Sequence, residues 1–289
     1  MKYKVTENIE IMELLVKLFP DSPRTRVKKM LSSGRISVNG RIVTHFATAL
    51  KPGDEVESAS FVNVKKGLAP FNILFEDEHF VAIDKPAGIN TSSTDDSPNC
   101  SAILSDWYKD NSKGHIRVFV VHRLDKEVTG VLLFSKSEKI MEHMRNNWEI
   151  THKKYIAIVE GKPKKDQGFV ESWLVEGSDQ RMYSVKAGTE GAKYAKTEYK
   201  ILKTLDKYTV LEVTLHTGRK NQIRVHMKDI GCPVAGDRRY GADPKYERRV
   251  RLHSAYLSFP HPVSGKKIEI TSKPSRIFYE IADRDEDYK

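Results

Sequence analysis

The sequence predicts a mixed α/β fold of the α+β kind, with a small N-terminal module followed by a larger domain. Three observations predict it. Apolar residues recur at helical spacing at Ile11, Leu14, Leu15 and Leu18. Asn39-Gly40 sits between two short β-prone runs, the strongest short-range hairpin signal. From Asn72 onward, β-prone runs and helical stretches are interspersed. At 289 residues the chain has room for one large domain or two unequal ones.

The first helix ends at Pro20. Ser22 then reads as an N-cap and Pro23 as a first-turn proline of a second helix. Val27, Met30 and Leu31 face inward on it, Arg24, Lys28 and Lys29 face out, and Gly34 stops it. The hairpin follows, Arg35 to Val38 and Arg41 to Val43. Lys51-Pro52-Gly53-Asp54 is a further turn, leading into a strand, Glu55-Val56-Glu57.

In the larger part, Asn72–Glu76 and Phe80–Asp84 read as strands, closed by Lys85-Pro86-Ala87-Gly88. Residues 102–108 read as a helix with Ile103, Leu104 and Trp107 as its apolar face. Residues 118–135 hold two apolar runs around a charged loop, His122-Arg123-Leu124-Asp125-Lys126-Glu127. Such continuously apolar strands are buried on both faces, and loops at their ends carry working residues. Asp125 is then a carboxylate at the mouth of a rigid sheet, in need of a cation. Local chemistry leaves open an ordinary ion pair with Arg123 or Lys126. A helix capped by Ser137 presents Met141, Met144 and Trp148 on one face. A strand over 152–161 puts Tyr155, Ala157 and Val159 on one side. Another strand spans Thr209–Leu215, and a helix begins near Lys220 with Arg224 in its first turn. Strands over Leu252–Pro260 and Lys267–Ile270 complete the chain.

Composition narrows the function. The net charge is +10, from 49 basic and 39 acidic residues, which suits a polyanionic partner or serves solubility alone. Residues 21–51 hold seven Lys or Arg against one acid, and residues 216–253 hold ten against four. No run of 18 apolar residues exists, so no membrane span is expected. The N-terminus has no uninterrupted apolar stretch and no cleavage site of the secretory kind. Cys100 and Cys232 have no cysteine neighbour in a metal spacing, which fits a reducing cytoplasm.

The segment "SGRISVNGRIV…LKPGDEV", from Ser33 to Val56, with the helices before it, resembles the S-four-type RNA-binding domain. In that family the basic second helix and the hairpin grip RNA phosphates. The resemblance therefore implies RNA contacts at Arg24, Arg26, Lys28, Lys29, Arg35 and Arg41. Residues 70–272 resemble the RluA-type RNA pseudouridine synthases through six ordered blocks. These are "FEDEHFVAIDKPAG", "VHRLDKEVTGVLLFSKS", "KKYIAIVEG", "LHTGRKNQIRVHM", "GDRRYG" and "RLHSAYLSFPHPVSGK". Two departures occur: Val128-Thr129-Gly130 stands where Thr-Ser-Gly is frequent, and Ile89 to Ser93 replaces a run ending in His-Pro.

The second resemblance implies a central, largely antiparallel mixed sheet flanked by helices. It implies Asp125 as the essential aspartate, Tyr155 packed on the target uracil, and Arg224 as the salt-bridge partner of Asp125. His122, Arg123, Leu124, Gln222 and Leu252 are the implied substrate contacts. The expected division is 1–60, a linker at 61–70, a synthase domain at 71–280 and an acidic tail at 281–289. Breaking the N1–C1′ bond and rejoining the uracil through C5 conserves every atom, so no cofactor or metal is expected. The carboxylate can stabilise positive charge on the ribose, add to C1′, or remove a sugar proton. Base flipping is expected at such a cleft. The expected partner is RNA, ribosomal first and transfer RNA second, with no membrane and no obligate protein partner, the chain acting as a monomer. A catalytically idle RNA-binding or ribosome-assembly protein on the same fold stays open. A glycosidase would need a second catalytic carboxylate, and no such pair is evident.

Overall fold

The computed structural model of the chain divides into two compact units, Met1–Asn146 and Asn147–Lys289. The structure describes residues 2–20, 22–32, 34–58, 69–94, 97–112, 116–245, 247 and 249–280. Most of the expected linker (61–68) and the acidic tail (281–289) lie outside the described residues.

The first unit opens with β1 (Lys2–Lys4), β2 (Ile9–Glu10), α1 (Ile11–Leu18) and α2 (Arg24–Ser32). Then come β3 (Ile36–Val38), β4 (Arg41–Ile42), β5 (Ala49–Leu50) and β6 (Glu55–Ser58). The sheet order is β1-β6-β3-β4, and β2 pairs with β5. The apolar stripe of α1 is buried at Ile11, Leu14 and Leu15, against Val27 and Leu31 of α2. Pro23 lies just before α2, not in its first turn: its carbonyl accepts from Arg26 N (2.8 Å) and Val27 N (3.2 Å). Asn39 and Gly40 take positive φ, 51° and 80°, as a tight two-residue hairpin turn demands. Asp54 closes the next turn by accepting from Lys51 N and from Asn39 Nδ2, both at 2.8 Å. These bonds hold its carboxyl below the ordinary aspartate range.

The rest of this unit is β7 (Asn72–Glu76), β8 (Phe80–Lys85), α3 (Cys100–Asn111), β9 (Phe119–Val120), β10 (Thr129–Ser135) and α4 (Glu138–Asn146). The order is β7-β8-β10-β9, with antiparallel ladders. Val131 to Phe134 of β10 are fully buried, as a continuous apolar run dictates. α3 is longer than expected because Asn99 caps it, accepting from Ala102 N at 3.0 Å. Its buried face is Cys100, Leu104 and Tyr108, not Ile103 and Trp107. Tyr108 can be buried because its hydroxyl donates to Glu76 at 2.6 Å. Met141 and Met144 are buried on α4, while Trp148 starts a separate 3-10 turn, Trp148–Ile150.

The second unit holds β11 (His152–Glu160), β12 (Gln167–Glu176), β13 (Met182–Val185), β14 (Lys193–Thr204) and β15 (Tyr208–Leu215). α5 (Gln222–Asp229), β16 (Leu252–Pro260), β17 (Lys267–Thr271) and α6 (Arg276–Tyr279) follow. The order is β13-β12-β14-β15-β11-β16-β17, every ladder antiparallel. Leu174, Met182, Ala195, Val225 and Tyr240 form the core beneath α5. Among the described residues no helix is long and apolar enough to cross a membrane.

The burial pattern of α1 makes a direct prediction. Leu15→Ala, at a fully buried site, will destabilise the protein by about 2–5 kcal/mol. Val16→Ala, one residue on and exposed, will stay within about 0.5 kcal/mol. Chemical denaturation of the two variants checks this.

Candidate active site

The loop that carries Asp125 is fastened to the end of β8. Gly130 stands opposite Lys85 in the β8–β10 ladder, so the loop before β10 lies beside the Lys85-Pro86 corner. Lys85 is 0% exposed. A buried ammonium is tolerated only when surrounded by acceptors. Lys85 Nζ donates to the carbonyls of Pro86 (2.9 Å), Lys126 (3.0 Å) and Val128 (2.8 Å). Burial pushes its pKa down to about 8, so the group is still mostly charged at neutral pH.

Further bonds complete the grip. Gly88 N donates to Lys126 O at 2.8 Å. Thr91 Oγ1 donates to Leu124 O (2.9 Å) and accepts from Leu124 N (3.1 Å). Val128 N donates to Asp125 O at 3.1 Å. Leu124 is buried, Asp125 and His122 are half-buried, and Arg123 is exposed. His122 Nε2 accepts from Leu133 N at 3.1 Å, tying the loop's start to β10.

The second unit carries Tyr155, Gln222, Arg224 and Leu252. Tyr155 is buried on β11 and faces Val213 of β15. On its other side the ladder slips between Lys154 and Tyr155, so Lys154 pairs with Tyr256 but Tyr155 with Ser254. Such irregularities re-aim a side chain and are common beside active sites. Leu252 is buried opposite Ala157, on the strand next to that of Tyr155.

Gln222 and Arg224 share the start of α5. Gln222 Oε1 accepts from Thr217 Oγ1 (2.8 Å) and Arg219 N (3.0 Å). Its Nε2 donates to Lys196 O (3.0 Å) and Thr197 Oγ1 (2.9 Å). Four bonds saturate a side-chain amide. Through the last two bonds the residue fastens α5 to β14. Arg224 makes a two-pronged pair with Asp237, Nε to Oδ2 at 2.5 Å and Nη2 to Oδ1 at 2.8 Å. Its Nη1 donates to Asn221 Oδ1 at 3.1 Å, and the guanidinium lies 4.9 Å from the centre of the Tyr240 ring. Asp237 is 1% exposed, so the pair is fixed and desolvated.

Three residues here were not singled out from sequence. Asp237 stands in the "GDRRYG" block with no local hint that it clamps an arginine. Lys85 looked like part of a strand-ending turn. Lys153, two residues before Tyr155, is buried with Nζ 5.2 Å from the centre of the Trp148 ring. Its burial pushes its pKa down to about 8. Of the basic residues expected at RNA, Arg24, Arg26, Lys28, Arg35 and Arg41 are exposed, and the Lys29 side chain lies outside the described residues.

A family model described as RNA pseudouridylate synthase matches residues 79–229, and one described as S4 domain matches residues 11–56. An uncharacterized RNA pseudouridine synthase of Aquifex aeolicus is 33% identical, the match covering 92% of this chain and 90% of that protein. The ribosomal large subunit pseudouridine synthase D of Zymomonas mobilis is 29% identical, with 90% and 88% covered. The solved structure of human RNA pseudouridylate synthase domain containing 4 superposes with a TM-score of 0.61 at 25% identity, covering 72% of this chain and 90% of that one.

Beneath α5 runs a buried polar chain with its own pH signature. His226 is fully buried, Nδ1 2.8 Å from Thr197 Oγ1 and Nε2 3.0 Å from Ser172 Oγ. Burial lowers its pKa below the ordinary value of 6.5. The unfolded chain then takes up a proton at a pH where the folded chain does not, so stability falls as pH drops below 6.5. Urea unfolding across pH 5–7 will show this fall, and His226→Gln will flatten it.

Proposed function

From a chain that belongs to the RNA pseudouridylate synthase family and carries an S4 domain, we propose that Asp125 is the essential carboxylate of uridine isomerisation in ribosomal RNA. The family makes the chain an isomerase. The observation that carries the assignment of Asp125 is the grip on its loop: Lys85, Gly88 and Thr91 bind the carbonyls of Leu124, Lys126 and Val128. A carboxylate on so constrained a loop is preorganised, which is what electrostatic stabilisation of a transition state requires.

The chemistry balances within the nucleotide. The N1–C1′ bond breaks, the uracil turns, a C5–C1′ bond forms, and the C5 proton leaves while N1 gains one. Glycosidic cleavage builds positive charge on the ribose, and Asp125 answers it by electrostatic stabilisation, by addition to C1′ or by removal of a sugar proton. Arg224, fixed by Asp237 and the Tyr240 ring, is the cation that the family resemblance assigns to Asp125. Tyr155 supplies the stacking face for the flipped uracil, Leu252 packs beside it, and His122, Arg123 and Leu124 flank the nucleotide. The name of the Zymomonas relative supports ribosomal RNA ahead of transfer RNA. The exposed Arg24, Arg26 and Lys28 of α2, with Arg35 and Arg41, hold phosphates.

Asp125→Asn will remove single-turnover conversion of uridine in an RNA substrate by at least about a thousandfold, with affinity and folding nearly unchanged. Activity within tenfold of the unmodified protein would take Asp125 out of the role. An unmodified protein that binds RNA but converts no uridine would favour a catalytically idle RNA-binding protein. For the RNA-binding face, replacing Arg24, Arg26 and Lys28 together by Ala will flatten the log–log salt dependence of binding by about two to three units. A salt titration of full-length protein checks it, and an unchanged slope would mean that α2 does not touch RNA.

A further inference from the structure

Every residue assigned to chemistry lies after residue 120, and every residue assigned to RNA phosphates lies before residue 42. The contacts within the first unit join the two roles. Gly88, in the Lys-Pro-Ala-Gly corner after β8, has φ +85°, and a Cβ there would lie 2.3 Å from the carbonyl oxygen of Ser32. Ser32 is the last residue of α2. Only a glycine lets the corner come that close, since any side chain would meet backbone and not a movable tip. The approach is reciprocated one residue on. A Cβ at Gly34, just past the end of α2, would lie 3.2 Å from Ile89 Cδ1 and 3.5 Å from Ile42 Cγ2. Ile89 is 1% exposed. Ile42 N also donates to Pro70 O at 3.2 Å.

The other side of the same corner holds the Asp125 loop. Gly88 N donates to Lys126 O, Lys85 Nζ to Lys126 O and Val128 O, and Thr91 Oγ1 to Leu124 O. Residues 85–91 are thus a wedge with α2 on one side and residues 124–128 on the other. The helix that ends on the wedge is the one that exposes Arg24, Arg26 and Lys28.

We propose that the end of α2 is a positioning element for the Asp125 loop, with Gly88 and Ile89 as the positioning residues, so that the phosphate-binding helix and the carboxylate share one rigid frame. The S4 domain then acts on the turnover rate as well as on affinity. This rests on the reading of Asp125 as the essential carboxylate. Rigid sharing has a physical use: a nucleotide held through its phosphates is productive only if the carboxylate keeps its distance from that grip, and misplacement by about 1 Å can cost about a hundredfold in rate.

The test uses full-length protein with three variants. Gly88→Ala creates the collision with Ser32 O. Ile89→Ala removes the apolar contact with Gly34 without backbone strain, and covers the case in which Gly88→Ala fails to fold. Gly53→Ala is the control: φ is +97° there but a Cβ would meet nothing within 4 Å, so it brings strain without collision. Measured quantities are single-turnover rate at saturating RNA, RNA affinity, and hydrogen exchange in residues 24–32 and 124–128. Gly88→Ala and Ile89→Ala are expected to lower the saturating rate at least tenfold, change affinity less than threefold, and speed exchange in both segments. Gly53→Ala is expected to do none of these, and Ile89→Leu, which keeps a δ carbon, to retain the rate that Ile89→Ala loses. A rate within twofold of the unmodified protein, while exchange shows α2 released, would overturn the proposal. So would faster exchange in 24–32 with 124–128 unchanged. Failure of the underlying reading is separate, since it shows as activity surviving in Asp125→Asn.

Discussion

The ammonium of Lys85 is the interaction on which the Asp125 loop depends. It is a single buried cation that satisfies three carbonyls from two places in the chain, Pro86 at the end of β8 and Lys126 and Val128 after the Asp125 turn. Removing it would take a donor from all three, with Lys126 O still accepting from Gly88 N, and each buried carbonyl left unpaired costs about 1–3 kcal/mol. Keeping it costs desolvation, visible in a pKa pushed down to about 8. The bonds from Gly88 and Thr91 then fix what Lys85 gathers. A loop normally trades precision for freedom; this one is held from below at Leu124, Lys126 and Val128.

The second unit solves an analogous problem by another route. Arg224 is fixed by a desolvated carboxylate, Asp237, and by the Tyr240 ring. Gln222 spends its whole amide on seating α5 against β14, and His226 is locked between Thr197 and Ser172 further along the same helix. Tyr155 is aimed by a slip in the β11–β16 ladder. In both units the residues assigned to chemistry sit on rigid elements, and neighbours with no chemical task hold them there. Such supporting groups are what keep a site within the tolerance that catalysis needs.

Much of this was legible in the sequence, and the reasons are specific. The stripe on α1, the Asn39-Gly40 turn and the apolar run of β10 are local patterns, and each maps onto the structure. What local pattern does not encode is partnership. β1 and the β2–β5 pair are too short to show a period. β12, β13 and β14 carry charged and hydroxyl residues that blur alternation, and no strand was assigned to residues 162–207. The buried face of α3 turned to Tyr108 because Glu76, 32 residues away, accepts its hydroxyl. Lys85, Asp237 and the contact of Gly88 with Ser32 are of the same kind. Residue type announces nothing there, and only the closing of the chain shows what each one meets. Gln222 is similar: the motif does not show its bonds to Lys196 O and Thr197 Oγ1.

Ribosomal RNA is the substrate we propose for the conversion of uridine to pseudouridine by this chain. The most direct measurement is base-resolution pseudouridine mapping of ribosomal RNA that was transcribed without modification and then incubated with the purified full-length protein. The expected result is conversion of one or a few discrete uridines in large-subunit RNA, with transfer RNA in the same mixture converted far less. RNA that is bound by the protein and yet contains no pseudouridine after prolonged incubation would contradict it.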